Sequence, residues 1–360
     1  MLNILQVVTL ASASGKYGGP FEVATGQQET LNNSGVTNSR ILAGTFVGDE
    51  PVLDKAILLP VRRWLPLRGF VAMFSWAIAC AVPREIKRSD VVHVSFAREL
   101  IPLYAAACTL LLGRRLILQP HGMLTTGIWT PFHVLVDLMA RPIARRAETV
   151  LALTDVEAAS LHSWLGRDKT PNRIIVIGNP VLTVRRRVLE APPTTLFAAR
   201  LHPRKRVNDF LEAAALTKSE TVFVVAGADQ GDRALVEAAR IKDRVKYLGA
   251  ISQHEVLSWL ASVNSFVLPS IDEPWGNTLA TAVASGIPVV VTESAALSGW
   301  IRDHGAGLVV PDGDAVALAA AVDEISLKFF VVDPDAGHKF LTRYGPRSFS
   351  DALLKVVHGD

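Results

Sequence analysis

Ser265-Phe266-Val267-Leu268-Pro269, then Asp272-Glu273-Pro274-Trp275-Gly276-Asn277-Thr278, then Ser285-Gly286-Ile287-Pro288-Val289-Val290-Val291: the order of these three pieces decides the fold. The first is a short apolar run of the kind that forms a strand buried on both faces of a parallel sheet. A carboxylate and a one-glycine turn follow, then an Ala-rich amphipathic segment over 277–285, a glycine stop and another apolar run. That reads as strand, acidic loop, helix, stop and strand, one unit of a doubly wound α/β sheet. A carboxylate beside a helix N-terminus at the carboxyl end of such a strand can accept hydrogen bonds from sugar hydroxyls while backbone N–H groups take phosphate.

Working outward, Thr195-Leu196-Phe197-Ala198-Ala199 is a second strand, ending on Arg200 with Lys205 five residues later in Leu201-His202-Pro203-Arg204-Lys205. Two cations at one strand's carboxyl end suit a diphosphate, which they neutralise in the ground state and as it departs. Further pieces follow in order: Val245-Lys246-Tyr247-Leu248-Gly249, Val267-Leu268-Pro269-Ser270, Glu273-Pro274-Trp275-Gly276 and Ala284-Ser285-Gly286-Ile287-Pro288. In this order and spacing the chain resembles the family-4 retaining glycosyltransferases of GT-B architecture, most densely from Arg200 to Pro311. The resemblance implies two Rossmann-like, doubly wound parallel-sheet domains facing across a cleft. It implies a donor domain over 190–344, an acceptor-side domain over 1–185, and a terminal helix over 345–360 that packs back on the latter.

Composition bounds the class. The chain has 360 residues, enough for two domains with separate cores, and 49% of them are apolar. Mean hydropathy is +0.29. The longest apolar runs, 69–83 and 100–113, are shorter than the roughly 20 residues a spanning helix needs. The start, Met1-Leu2-Asn3-Ile4-Leu5, lacks a basic segment and reads as a first strand rather than a signal peptide. Cys80 and Cys108 sit in apolar runs, where a buried thiol is expected, and they support neither a disulfide framework nor a metal site. A cytoplasmic location follows. The net charge of +3 is too small to suggest nucleic acid. Basic residues from Arg62 to Arg88 nevertheless flank an aromatic-rich stretch that includes Trp64, Phe70, Phe74 and Trp76. Two readings stand for it: an amphipathic helix covering the sheet, or a peripheral contact with the inner face of a membrane through 61–88.

Alternation continues along the chain. Strands are expected at 2–8, 39–43, 91–96, 115–119, 150–153 and 174–177, with helices at 21–32, 66–81, 101–112, 132–146 and 155–165. A polar stretch from Gly178 through Asn179-Pro180, Arg185-Arg186-Arg187 and Pro192-Pro193 reads as an interdomain linker whose basic run is solvated. Strands resume at 195–199, 222–226, 245–248, 265–268, 288–292 and 307–310, and 349–357 reads as a final amphipathic helix.

In the first half, Ser14-Gly15-Lys16-Tyr17-Gly18-Gly19-Pro20 lies between strand and helix, where glycines let a backbone approach a ligand. It is neither a Walker loop nor a dinucleotide fingerprint. The resemblance implies that Gly18 and Gly19 face the donor phosphates and the acceptor. His121, in Gln119-Pro120-His121-Gly122, sits at a strand's carboxyl end, and the resemblance gives it contact with the transferred sugar. Asn179-Pro180 resembles the family's interdomain turn.

The implied chemistry is transfer of a hexose, with retained configuration, from a nucleotide diphosphate-sugar to a glycan or lipid-linked acceptor in polysaccharide or glycolipid synthesis. Arg200 and Lys205 hold the diphosphate, aided by backbone N–H groups near Gly276, Asn277 and Thr278, and Glu273 accepts from the sugar. No cofactor or metal is required when two cations stabilise the departing phosphate. Asp312-Gly313-Asp314 matches a metal-binding string, but it precedes an Ala-rich helix, where Asp serves as an N-cap. One departure stands out: the family's second glutamate, eight positions after the first, is here Thr281. A hydroxyl still bonds a ribose, more weakly than a carboxylate, and Glu293 lies nearby in sequence. Two rival readings are a nucleotide-sugar 2-epimerase and a catalytically silent GT-B scaffold partner.

Overall fold

The computed structural model describes residues 1–12, 19–64, 71–124, 131–166, 173–187, 192–239 and 244–359. The chain divides into two compact units, one of Met1–Pro180 with Phe349–Asp360 and one of Val181–Ser348. Segment 181–187 is tied to the second unit: Val184 N–H donates to Ser285 Oγ at 2.9 Å and Arg187 N–H to the Ala261 carbonyl at 2.8 Å. The division therefore falls at Pro180 rather than at the residue 185 expected above.

In the first unit the strands are β1 (Leu2–Leu10), β2 (Thr37–Thr45), β3 (Ala56–Pro60), β4 (Arg62–Arg63), β5 (Met73–Phe74), β6 (Val91–Ser95), β7 (Arg115–Gln119), β8 (Thr149–Ala152) and β9 (Arg173–Val176). The helices are α1 (Gly19–Asn33), α2 (Trp76–Lys87), α3 (Leu100–Leu111), α4 (Pro131–Ala144) and α5 (Asp155–Leu165). Seven strands form one parallel sheet in the order β3-β2-β1-β6-β7-β8-β9, while β4 and β5 make a separate antiparallel ribbon. Near-continuous apolar runs are the expected signature of strands covered on both faces, and β6 through β8 are buried throughout, apart from the first residue of β7.

One face of this sheet is covered by α2, α3, α4 and α5, whose Ile78, Val82, Ile101 and Leu161 join Leu5, Val7, Val94 and Leu118. On the other, Phe349, Leu353, Val356 and Val357 pack against Ile4, Val91, Ile117 and Leu151. Those four lie on α13 (Pro346–His358), which Arg115 also holds by donating to the Val357 carbonyl at 2.7 Å.

The stretch 61–88 resolves into separate parts. Residues 65–70, which carry Arg68 and Phe70, lie outside the described residues. The helix expected from residue 66 begins instead at Trp76, because Ser75 caps it by accepting from Ile78 N–H and the preceding Met73–Phe74 pairs with Arg62–Arg63. Its apolar side, Ile78, Ala81, Val82 and Ile86, faces the core, so the sheet-covering reading holds for α2. Cys80 falls on the opposite side and is exposed, against the burial expected of it, and Cys108 is half-buried.

In the second unit β10 (Thr194–Ala198), β11 (Val222–Ala226), β12 (Val245–Tyr247), β13 (Ser265–Leu268), β14 (Val289–Thr292) and β15 (Gly307–Val310) form a six-stranded parallel sheet ordered β12-β11-β10-β13-β14-β15. The helices are α6 (Val207–Leu216), α7 (Arg233–Ala239), α8 (Gln253–Leu260), α9 (Asn277–Ala284), α10 (Ser298–Asp303), α11 (Ala315–Ser326) and α12 (Ala336–Tyr344). The strand order reverses between β10 and β13, where open α/β sheets place their ligands at the strands' carboxyl ends. Among the described residues no helix is long and apolar enough to cross a membrane.

Candidate active site

The loops that leave β10 and β13 at that reversal are stitched together. Ile271 N–H donates to the Arg204 carbonyl at 3.0 Å, and the Arg204 guanidinium donates to the Asp272 carbonyl at 3.3 Å. Between them the Lys205 ammonium and the Glu273 carboxylate form an ion pair whose side chains are only 13% and 6% exposed. Burial pushes the Glu273 carboxyl up, but Lys205, with Arg204 behind it, outweighs this and holds it below the usual carboxylate range. Burial is also the largest influence on Lys205 and pulls its pKa down, with Glu273 opposing. The sequence expectation thus gains a geometry: one of the two cations and the carboxylate are direct partners.

Arg200 leaves β10 at the mouth of the same loop, half-buried. Its position depends on Gly227, which ends the neighbouring strand β11: a Cβ there would stand 1.8 Å from the Ala199 carbonyl oxygen, so only glycine lets the two strand ends approach. The Leu201 N–H then donates to the Ala228 carbonyl at 2.8 Å. Gly227 has no signature in the sequence reading, since a glycine at a strand end is commonplace.

Gly276 opens α9 with φ of +72° and contributes no side-chain cap, so the first-turn amides, including Asn277 and Thr278, form the kind of helix terminus that takes phosphate. Trp275 fixes this turn from behind. The residue is 2% exposed, and its ring packs edge-on against Tyr344 at 5.1 Å and tilted against Phe340 at 6.1 Å, both on α12. Thr281, one turn further along α9, is buried. Glu293 continues from β14, its N–H donating to the Val310 carbonyl. Both aspartates of the Asp-x-Asp string make local hydrogen bonds. Asp314 caps α11 by accepting from Ala317 N–H at 2.8 Å, and Asp312 accepts from the Ser294 hydroxyl at 3.0 Å. Among the described residues no cluster of three or more His, Cys, Asp or Glu side chains could hold a metal.

In the first unit, Gly18 lies outside the described residues, and Gly19 is the first residue of α1. His121 follows β7 with φ of +53°, a conformation that costs strain in a residue with a side chain. What holds it is Glu157, absent from the sequence reading: its buried carboxylate accepts from Gly122 N–H at 2.6 Å and from Leu153 N–H at 2.7 Å, bridging the turns after β7 and β8. His121 Nε2 lies 3.3 Å from Ser95 Oγ. Burial, with His93 beside it, pulls its pKa down to about 3, and burial pulls His93 down to about 4 against an opposing Gln119 side chain. At neutral pH His121 is therefore an uncharged imidazole. A further acid, Glu99, half-buried, accepts from the Thr9 hydroxyl, and desolvation raises its pKa. Asn179 is buried beside Pro180, whose ring lies against Gly26 of α1.

The chain matches the model described as Glycosyltransferase Family 4 over residues 40–185 and that described as Glycosyl transferases group 1 over residues 192–327. It is 29% identical over 187 residues to the lipopolysaccharide core biosynthesis glycosyltransferase LpsE of Rhizobium meliloti, covering 49% of this chain and 54% of that one. It is 28% identical over 273 residues to the putative colanic acid biosynthesis glycosyltransferase WcaL of Salmonella typhimurium, covering 67% and 64%. The chain thus spans between half and two thirds of the length of these curated relatives. In fold it is similar to HepE of Anabaena, solved with UDP and glucose, at a TM-score of 0.75 and 17% identity over the whole of both chains.

Proposed function

Because the chain belongs to the family-4 glycosyltransferases and has their GT-B fold, we propose that it transfers a sugar from a nucleotide diphosphate-sugar to a glycan or lipid-linked acceptor, in lipopolysaccharide or exopolysaccharide assembly. The observation that carries this reading is the buried Lys205–Glu273 pair, set where the strand order reverses and beside the N-terminus of α9.

In this reading the diphosphate binds Arg200, Lys205 and the first-turn amides of α9. Lys205 then has a second anion beside it, and Glu273, less fully engaged, accepts hydrogen bonds from the sugar's hydroxyls. When the bond between the anomeric carbon and the phosphate oxygen breaks, its electron pair stays on that oxygen. The fixed cations stabilise the growing charge more than they stabilise the intact donor. The acceptor hydroxyl bonds the anomeric carbon from the face the phosphate leaves, its proton passing to that phosphate, so configuration is retained. No divalent ion enters, because Arg200 and Lys205 supply the positive charge. Gly18, Gly19 and His121 serve the acceptor and the transferred sugar, His121 as a neutral hydrogen-bonding group.

The test is stabilisation of the purified protein by UDP, GDP, ADP, CMP and dTDP, with Arg200→Ala and Lys205→Ala beside the wild type, followed by product analysis with the matching nucleotide-sugars. UDP comes first because HepE was solved with it. Selective stabilisation that both variants lose supports the reading, and no stabilisation by any nucleotide overturns it. Donor turnover without acceptor and with epimerised sugar would redirect it to a 2-epimerase.

A further inference from the structure

The turn that carries His121 is held in an uncommon form. The Pro120 carbonyl accepts from Met123 N–H at 3.0 Å, and the two residues between them, His121 and Gly122, have φ of +53° and +78°. A tight turn with positive φ at both central positions suits glycine, asparagine or aspartate, and a histidine at the first of them is strained. Strain of this kind persists where the surroundings impose it, and it collects at functional sites.

Two buried ions of opposite sign impose it. Thr154-Asp155-Val156-Glu157 has the sequence of a capping box, in which the glutamate would reach back to the N–H of the capping threonine. Half of that box forms: Thr154 Oγ1 accepts from Glu157 N–H at 3.2 Å. The carboxylate goes elsewhere, to Leu153 N–H at 2.7 Å and to Gly122 N–H at 2.6 Å in the turn after the neighbouring strand. Helix α8 shows the ordinary outcome, for there Glu255 accepts from Ser252 N–H at 2.8 Å. From the other side, Arg98 donates to the Met123 carbonyl at 3.3 Å and to the Leu124 carbonyl at 3.0 Å. Its guanidinium is oriented by Asp137, which accepts from Nε at 2.8 Å and Nη2 at 3.1 Å and is itself held by Trp164 Nε1 at 2.9 Å.

Arg98, Asp137 and Glu157 are 9%, 3% and 4% exposed, so these bonds are made away from water, where they are strong and specify one geometry. Capping α5 does not explain a carboxylate that bypasses its own cap to grip the next turn. We propose that Glu157 and Arg98 are positioning residues for sugar transfer: they fix the 120–124 turn so that His121 meets the transferred sugar in a single orientation. This rests on the reading of His121 as a sugar contact.

The experiment is a mutant cycle on steady-state transfer by the full chain, using the nucleotide-sugar whose nucleotide stabilises the protein. Glu157→Gln keeps the volume but puts an NH2 group where one of the two N–H groups needs an acceptor. It should lower kcat by about tenfold to a hundredfold, with nucleotide stabilisation as in the wild type because the diphosphate site lies on the second unit. His121→Ala should lower kcat by a comparable factor, and Glu157→Gln should lower it no further in that background. Thr154→Ala, which uncaps α5 without touching the 120–124 turn, should lower Tm at a near-wild-type kcat. Arg98→Lys keeps the charge but not the fork, and it enters the same cycle if Glu157→Gln does not fold. Wild-type kcat in Glu157→Gln overturns the proposal, as does an equal fall with and without His121, or His121→Ala at the wild-type rate. A wild-type chain that turns over no nucleotide-sugar overturns the reading of the site itself, and this proposal with it.

Discussion

Lys205 and Glu273, 68 residues apart in the sequence, are ion-paired in a site that excludes most water. Two buried opposite charges stabilise each other chiefly by avoiding the cost of either alone. Lys205→Met or Glu273→Met should therefore each destabilise the protein by about 3–5 kcal/mol, whereas the double Met variant should recover most of that loss. Urea unfolding of all four proteins checks this. Transfer should be lost in every variant, which separates the pair's structural role from its chemical one.

Trp275 is expected to hold the Glu273 loop at a distance from the chemistry. Trp275→Ala removes a buried ring from between α9 and α12 and should cost about 3–5 kcal/mol. Phe340→Leu, which loosens the same contact more gently, should fold and show a raised KM for donor. A Phe340→Leu enzyme with wild-type kinetics would dissociate the ring cluster from the site.

Gly227→Ala should be worse than its one methyl suggests. The new Cβ must displace the Ala199 carbonyl, at a cost of about 1–3 kcal/mol for overpacking, and Arg200 moves with it. The expected outcome is weakened nucleotide stabilisation in a protein that still melts cooperatively. Retained wild-type nucleotide binding would show that Arg200 is positioned otherwise.

The first unit should resist acid poorly. His93 and His121 have folded pKa values of about 4 and about 3, below the ordinary 6.5, so the unfolded chain binds more protons between those limits. Their contribution is complete above pH 6.5 and is lost as pH falls through the window, at roughly 1.4 kcal/mol per histidine per pH unit. Glu99 and Glu157, whose pKa values burial raises, act in the opposite direction. The histidine share is therefore read as a difference: His121→Gln should flatten the fall in unfolding free energy between pH 7 and pH 5. An equal slope in variant and wild type would contradict the assignment of a neutral His121.

Regular elements were legible where sequence periodicity and burial coincide. Arg115–Gln119, Asp155–Leu165, Val222–Ala226, Ser265–Leu268 and Gly307–Val310 fall where the sequence puts them. Ala56–Pro60 was missed although its run is apolar throughout: it closes on a proline, and it forms a half-buried edge strand. The helix expected from residue 66 failed for another reason: Met73 and Phe74 carry the apolar signal of a helix but pair as a ribbon. In the site, the sequence exposes residue types at strand ends but not their pairing. His93 and Glu157 were hidden because each sits among apolar neighbours, where a titratable group looks like an interruption of the core.

The return of α13 to the first unit has a consequence for how the protein is made. Phe349, Leu353, Val356 and Val357 cover Ile4, Val91, Ile117 and Leu151, yet the ribosome delivers them only after all of the second unit. Until then that sheet face has Leu31 of α1 but lacks these four partners, while the later-synthesised unit has its whole sequence available. Residues 181–348 thus have every residue of their own unit at hand before residues 1–180 do.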